Sequence, residues 1–199
     1  MDTSTGIALF ALALSGWVFY RNTLMPASIK VCVGDSIDIV KHYGPDMPNS
    51  IQVACTFTNE GAKTGVIEKM ALVIHPAEGP PHLLRWSIFF KYEKGYRATP
   101  KEKVHAIPVL ARHTHFEGIQ FAAFDEIAWS PGKYRIELLG WFNRNCEEDP
   151  NIRHDLNVTV TEQLVHDISP EDNGELEPEL HTVMLDGFEY RGYPSDIKT

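Results

Sequence analysis

Apolar and polar residues alternate with a period of two in seven segments of the chain, and this pattern limits the fold more than any other feature. Successive side chains of a strand point to opposite faces, so such alternation predicts strands with one buried face. The predicted strands are Val31 to Ile39, broken at Gly34 and Asp35; Ile51 to Phe57; Val66 to His75; Leu84 to Tyr92; His105 to Phe121, broken near Pro108 or Gly118; Tyr134 to Leu138; and Leu156 to Val160.

The segments between these strands are rich in Gly, Pro and Asn, which are turn-forming residues. Seven short strands joined by such turns are typical of an all-β sandwich. The fold class that we predict is therefore all-β, a seven-stranded sandwich. A Gly-rich stretch at residues 57–65, "FTNEGAKTG", lacks the GxxxxGK[ST] order and the following helix of a phosphate-binding loop, so we interpret it as a turn between strands.

The N-terminus has the pattern of a membrane anchor, because no charged residue occurs from residue 3 to residue 20. Eighteen helical residues cover about 27 Å at about 1.5 Å per residue, close to the thickness of the hydrocarbon core. Trp17 and Tyr20 end the segment, where aromatic side chains favour the interface. A cleaved signal peptide is the competing interpretation, but Asp2 is the only early side-chain charge and a basic n-region is missing. We expect an uncleaved transmembrane helix.

The charges around this helix predict its orientation. Arg21 and Lys30 follow it, whereas Asp2 and the terminal amine precede it, so the positive-inside rule places the domain in the cytoplasm. Three cysteines without a CxxC spacing fit free thiols in a reducing compartment. The expected location is the cell membrane, single-pass, with a cytoplasmic domain. A domain on the extracytoplasmic side is the open alternative.

The net charge of −9 is concentrated near the C-terminus. Residues 166–199 contain nine acidic and two basic residues, which amounts to −7 and leaves −2 for residues 1–165. Nucleic-acid binding requires a basic face, so we expect no nucleic-acid partner. The predicted organisation is a membrane anchor at 1–21, a linker at 22–28, a β-sandwich domain at 29–165 and an acidic tail at 166–199.

Residues 129–141, "WSPGKYRIELLGW", carry a resemblance to known sandwiches. A Pro-Gly turn, a Tyr and then alternating apolar residues resemble the start of strand F in immunoglobulin-like and fibronectin type III-like domains. The resemblance implies that the hydroxyl of Tyr134 bonds to nearby backbone. An antibody-type disulfide would pair Cys55 with position 136, which is Ile136, so Cys55 is expected to be a small core residue. The plan of anchor, linker and one sandwich resembles uncharacterised bacterial single-span membrane proteins.

The most distinct metal-ligand pattern is the pair His113 and His115. Residues i and i+2 of a strand share a face, and Glu117 continues that face as a third ligand. The alternative is a half-exposed strand with incidental histidines, and metal analysis of the purified protein decides between them. No GxSxG motif or activated cysteine is present, so we predict no enzyme and no cofactor.

In an immunoglobulin-like sandwich, the loop between strands D and E lies at the end that the linker reaches. Here that loop, residues 93–103, is basic and contains an aromatic residue, which favours contact with anionic lipid. An ordinary solvated hairpin is the alternative. The basic residues of this loop are Lys94, Arg97, Lys101 and Lys103.

The predicted function is a membrane-tethered, non-enzymatic β-sandwich that serves as a protein-interaction or scaffold module. Leu139 and Trp141 lie on the strand face opposite Tyr134 and Leu138, so one strand has apolar residues on both faces. Such a face is either a surface for a protein partner or the contact of a covering segment such as the tail. The alternative function is a metal- or small-ligand-binding module centred on His113 and His115.

Overall fold

The structure, a computed structural model, describes residues 3–41, 50–92, 98–123, 127–142, 149–168 and 179–186. It consists of one N-terminal helix and a domain built from β-strands with one short helix near its end. The elements are α1 (Thr3–Phe19), a π-helical turn (Tyr20–Leu24), β1 (Ile29–Lys41), β2 (Ser50–Asn59), β3 (Gly65–His75), β4 (His82–Tyr92), β5 (Ala98–Lys103), β6 (Ile107–Val109), β7 (Thr114–Ala123), β8 (Gly132–Phe142), β9 (Ile152–Val160), α2 (Glu162–Ile168) and β10 (Glu179–Met184).

The N-terminal helix is long and apolar enough to cross a membrane. The helical segment Ser4–Leu24 has 21 residues and a mean hydropathy of 1.3, and its most apolar window has no buried residue. The absence of charge from residue 3 to residue 20 accounts for this hydropathy. By length and composition, the segment agrees with the predicted anchor.

The strands form one sheet of antiparallel pairs in the order β10-β1-β2-β7-β4-β3-β8-β9, with β5 beside β4 and β6 beside β3. A bridge between Val158 of β9 and Leu185 joins the two ends of this order, so the sheet is nearly closed. The described residues therefore contain ten strands, and the predicted number of seven is wrong. The difference comes from β5, which the sequence assigned to a loop, from β10, which it assigned to the tail, and from β6 and β7, which are separate strands.

The seven strands predicted from the sequence can be lettered A to G along the chain and then followed through the sheet. With β1, β2, β3, β4, β7, β8 and β9 as A to G, the order in the sheet is A-B-E-D-C-F-G. Strands C and D also pair with each other, over Ala71–Ile74 and His82–Arg85. This pairing joins strands A-B-E-D and strands C-F-G into one continuous sheet. The architecture is a mostly antiparallel β-sheet fold compatible with a β-sandwich or a barrel.

The core lies between the inward faces of this sheet, as the period-two alternation predicts. Phe57, Leu72, Ile119 and Leu138 come from four different strands, and each has 0% exposure. Cys55 is buried among the same side chains, which confirms its interpretation as a small core residue. These strands are long because each has to present several such residues to one core.

Tyr134 forms the corner that the resemblance implied. Its hydroxyl donates to the carbonyl oxygen of Ser130 at 3.0 Å and accepts from the amide of Ser130 at 2.9 Å. The ring of Trp129 packs against the ring of Tyr134, with centroids 5.2 Å apart. The predicted contact of the Tyr134 hydroxyl with nearby backbone is therefore confirmed.

Part of the acidic tail belongs to the sheet. β10 pairs antiparallel with Ser36–Lys41 of β1, and the hydroxyl of Thr182 donates to Oδ1 of Asp38 at 2.6 Å. Val183 and Leu185 are buried, so the tail covers the gap between β1 and β9. The remaining tail segments, 169–178 and 187–199, lie outside the described residues.

Candidate functional sites

His115 and Glu117 lie on the inward face of β7. The register places His115 opposite Phe57 and Glu117 opposite Cys55, and both partners have 0% exposure. Nε2 of His115 is 3.3 Å from Oε2 of Glu117. Glu117 is only 7% exposed, so its carboxylate requires partners that compensate for lost hydration.

Lys101 of β5 supplies the main partner. Its Nζ donates to both carboxylate oxygens of Glu117 at 3.3 Å and lies 3.4 Å from the carboxylate of Glu102. Partial burial lowers the pKa of Lys101, but hydrogen bonds and charges from Glu117 and Glu102 outweigh it and hold the pKa above its ordinary value. A positive charge therefore already occupies the position that a metal ion at Glu117 would need.

His113 does not join this cluster. Its Nδ1 is 2.7 Å from the carbonyl oxygen of Ala111, in the turn before β7. Within the described ranges, no group of three or more His, Cys, Asp or Glu side chains is placed to hold a metal ion. The structure thus brings together two of the three predicted ligands, His115 and Glu117, and the metal site itself stays a prediction.

The thiol of Cys55 lies beside this cluster in the core. Burial, and after it the charge of neighbouring Cys32, raise the pKa of the Cys55 thiol far above its ordinary value. A thiol held in its neutral form is a poor nucleophile and a poor metal ligand. Cys55 therefore contributes packing rather than reactivity.

The predicted basic loop is only partly described. Lys94 and Arg97 lie outside the described residues, whereas Lys101 and Lys103 belong to β5. Lys103 is exposed, but Lys101 is engaged by two carboxylates. Of the two described lysines, Lys103 is the one left available to an anionic surface.

Leu139 and Trp141 lie on the outward face of β8, as the alternation predicts. Leu139 is opposite Ala71 and is half-buried. Trp141 is only 9% exposed, and Nζ of Lys69 lies 4.7 Å from the centroid of its ring. The indole is therefore covered in part by the chain itself, and Leu139 is the more accessible of the two residues.

The sheet extends this apolar face beyond the residues singled out in the sequence. Leu83 of β4 pairs with Val73 of β3, so Leu83 continues the outward face past Ala71 and Leu139. Leu83 is 51% exposed. We call the surface formed by Leu83, Val73, Ala71, Leu139 and Trp141 the outer apolar strip. The signal for Leu83 in the sequence is the adjacent pair of leucines at 83 and 84, which places apolar residues on both faces.

The turn between β2 and β3 holds the linker that follows the N-terminal helix. The fully buried side chain of Asn59 accepts from the amides of Ser28 and Gly61 and donates to the carbonyl oxygens of Lys63 and Val109. These four hydrogen bonds connect the linker, the turn and β6. The stretch that the sequence predicts to be a turn is also the joint between the N-terminal helix and the domain.

A further contact at this joint comes from Arg112, in the turn between β6 and β7. Its Nη2 donates to the carbonyl oxygen of Arg21 at 3.0 Å and to Oδ1 of Asn22 at 2.7 Å. Arg112 has a φ of 56°, a left-handed conformation that is uncommon for a residue other than glycine. The sequence contains no signal for this contact, because Arg112 and Arg21 are 91 positions apart.

Comparison of the sequence with protein-family models and with curated proteins finds no match. The function therefore has to be inferred from the geometry of the chain itself.

Proposed function

We propose that the chain is a membrane-tethered, non-enzymatic module that binds another protein through the outer apolar strip. The observation that carries the proposal is the 51% exposure of Leu83, with half-buried Val73 and Leu139 on the same outward face and the buried Ala71 between them, across three neighbouring strands. A contiguous apolar surface on a sheet exposes side chains that a partner can remove from water.

Charged residues surround the strip, as polar rims surround protein interfaces. Arg85 pairs with Ala71 on one side, and Arg153 pairs with Leu139 on the other. Glu137 lies next to Val73 and forms an ion pair with Arg135. Apolar side chains at the centre and charges at the edge favour a protein partner of matching pattern.

The position of the tail also favours this interpretation. The sequence left open whether a covering segment contacts Leu139, and the tail was the candidate. In the described part of the tail, β10 pairs with β1 and Leu185 bridges to Val158 of β9, whereas the strip lies on β4, β3 and β8. This part of the tail does not cover the strip.

The finer fold that we propose is an immunoglobulin-like sandwich. The strand order A-B-E-D-C-F-G divides into the two sets, ABED and CFG, that form the two sheets of immunoglobulin constant-type domains. The corner at Tyr134 stands near the start of strand F, where such domains have one. Each feature supports the assignment independently, since one concerns topology and the other a local hydrogen bond.

For the tether, we propose a single span in the cell membrane with the domain in the cytoplasm. Arg21 follows the apolar helix directly, and Lys30 comes shortly after it, whereas Asp2 is the only side-chain charge before it. This charge bias supports a cytoplasmic domain. A reporter enzyme that requires the cytoplasm, fused after Thr199, would be inactive if the domain were outside.

Site-specific photocrosslinking of the full chain in its cell membrane tests the protein-binding proposal. A photoreactive phenylalanine at position 83 or 139 is expected to yield one discrete protein adduct after illumination. The same residue at position 180 is the matched control, because Leu180 is 40% exposed on β10, away from the strip. Lipid adducts alone, no adduct, or the same protein adduct from position 180 would contradict the proposal.

The alternative function, a metal- or small-ligand-binding module at His113 and His115, has one observation in its favour. His115 and the buried carboxylate of Glu117 are 3.3 Å apart, within reach of a common ion. Lys101 competes for the same oxygens. Stoichiometric zinc in the purified protein, lost in the variant His115→Ala, would favour this alternative.

A further inference from the structure

An open groove of about 560 Å³ lies between the end of the N-terminal helix and the domain. One wall is apolar and comes from the helix, with Leu14, Trp17 and Val18. Its polar lining includes two guanidinium-bearing residues, Arg21, which follows the helix directly, and Arg112, from the turn between β6 and β7. An apolar wall that ends at two cationic residues is complementary to an amphiphile with an apolar chain and an anionic head.

The placement of Arg112 in this groove is fixed by the backbone and by two hydrogen bonds. Its left-handed φ of 56° costs conformational energy, and strain of this kind concentrates at functional sites. Nη2 bonds to Arg21 and Asn22, and the structure gives no ion pair for Arg112 among the residues that it describes. The remaining guanidinium nitrogens are therefore available to an anion.

The one carboxylate of the groove does not cancel the two arginines. Oε1 of Glu60 is 2.8 Å from Nζ of Lys30, so that its charge is already paired. Arg21 likewise has no carboxylate partner in the described ranges. The groove therefore has an excess of positive charge on its polar side, which is the complement of a phosphate group.

The proposed membrane span would place the groove at the depth at which phosphates occur in a bilayer. Trp17 and Tyr20 mark the interfacial end of the apolar helix, and Arg21 follows immediately. Leu110, in the same turn region as Arg112, is 56% exposed and is able to enter the interface. A lipid beside this helix would have its acyl chains along Leu14 and Val18 and its head near the arginines.

We propose that this groove binds the phosphate group of a membrane glycerophospholipid, with Arg112 and Arg21 as the phosphate-binding residues. The acyl chains lie on the apolar wall of the helix, and the lipid holds the domain against the bilayer at a fixed joint. The inference rests on the membrane tether of the proposed function, but it concerns a different surface from the outer apolar strip.

Native mass spectrometry of the full chain, released from detergent micelles, tests the site. The probes are phosphatidylglycerol, a diacylglycerol with the same acyl chains, and inorganic phosphate. We expect retention of phosphatidylglycerol about tenfold above that of diacylglycerol, the effect of a charge-assisted hydrogen bond. Millimolar inorganic phosphate is expected to leave the lipid in place, because it does not contact the apolar wall.

The variant Arg112→Gly is expected to reduce retention of phosphatidylglycerol to the level of diacylglycerol. Glycine adopts a φ of 56° without strain, so the turn stays folded in this variant. Arg112→Asn provides a second variant whose side chain tolerates the same conformation. Lys133→Gln is the matched control, since it removes one positive charge from an exposed position at the start of β8, far from the linker.

The lipid site would be overturned by equal retention of diacylglycerol, by unchanged retention in Arg112→Gly, or by displacement by inorganic phosphate, which would indicate a free-anion site. Flotation of the same variants with liposomes measures the tether separately. A full chain that fails to float contradicts the tether while the micelle measurement still reports on the groove. A loss of lipid retention that occurs only together with a loss of flotation also counts against the site.

Discussion

The side chain of Asn59 uses both its oxygen and its amide nitrogen twice, at a position without solvent exposure. Tyr134 likewise uses one polar group in two hydrogen bonds, because its hydroxyl both donates to and accepts from the backbone of Ser130. Buried polar groups with all their partners in place define one local geometry, since each lost partner would cost free energy. These two residues therefore fix turns that apolar packing alone would leave variable.

Replacing Tyr134 with Phe tests this at the corner. The variant Tyr134→Phe removes the hydroxyl and leaves the amide and carbonyl of Ser130 without it, so we expect a loss of about 1–3 kcal/mol in the free energy of unfolding. Chemical denaturation of the full chain in detergent measures the loss. Tyr20→Phe, at the end of the helix, is the control and should leave the unfolding of the domain unchanged. A Tyr134→Phe variant as stable as the parent would contradict the corner's role.

Sequence reasoning succeeded for residues whose role is local. The corner at Tyr134 followed from a Pro-Gly turn and the resemblance that it carries, and the burial of Cys55 followed from alternation. The role of Arg112 was missed because no sequence pattern predicts either its left-handed φ or its contact with Arg21. His113 lies one residue before β7, which begins at Thr114, and its Nδ1 faces the carbonyl oxygen of Ala111, so strand periodicity alone did not place it beside Glu117.

At the scale of elements, the joint between the linker and the β2–β3 turn depends on close backbone approach. The amide of Ala62 donates to the carbonyl oxygen of Met25 at 3.0 Å, and the amide of Glu60 donates to that of Ser28 at 2.9 Å. A Cβ atom at Gly61 would collide with the carbonyl oxygen of Pro26. The absence of a side chain at position 61 is therefore what lets the two segments pair.

The variant Gly61→Ala is expected to displace the linker from this turn. Loss of the two backbone hydrogen bonds, at about 1 kcal/mol each, should speed tryptic cleavage after Arg21 in the full chain by roughly tenfold or more. Gly34→Ala is the matched control, because a Cβ there would meet only the Cβ of Ala54 at 4.0 Å. Equal cleavage of both variants would show that the joint does not depend on Gly61.

The elements that sequence reasoning missed are those without a clear period of two. β5 reads "ATPKEK" and contains a proline and three charged residues, so nothing in it resembles a half-buried strand. It forms at the edge, where β4 offers an unpaired backbone. β10 was missed because its surroundings are acidic, although Val183 and Leu185 keep the spacing of a buried face.

At the scale of the whole molecule, β10 determines whether the sheet closes. It pairs with β1, while Asp186 reaches β9, where its amide donates to the carbonyl oxygen of Asn157 at 2.8 Å. The carboxylate of Asp186 accepts from the hydroxyl of Thr159 at 3.0 Å. The two end strands of the remaining sheet, β1 and β9, are thus both contacted by one short segment.

Truncation after Ile168 is expected to destabilise the domain by roughly 3 kcal/mol or more, because two buried apolar side chains are lost at about 1.5–3 kcal/mol each. The uncovered edge of β1 should also promote self-association. Thermal unfolding and light scattering of the detergent-solubilised chain measure the two effects. Truncation after Asp186 retains β10 and is the control. A shorter chain as stable as the longer one would mean that β10 adds nothing to the fold.

The pairing of β1 with β10 also delays the completion of the sheet while the protein is being synthesised. Ser36 pairs with Met184, so the two partners are separated by 148 positions along the chain. A ribosome that adds about 5–20 residues per second needs roughly 7 to 30 s to span that distance. During this interval one side of β1 has no β10 with which to pair. The free side of β1 is therefore covered only after all the other described strands have been made.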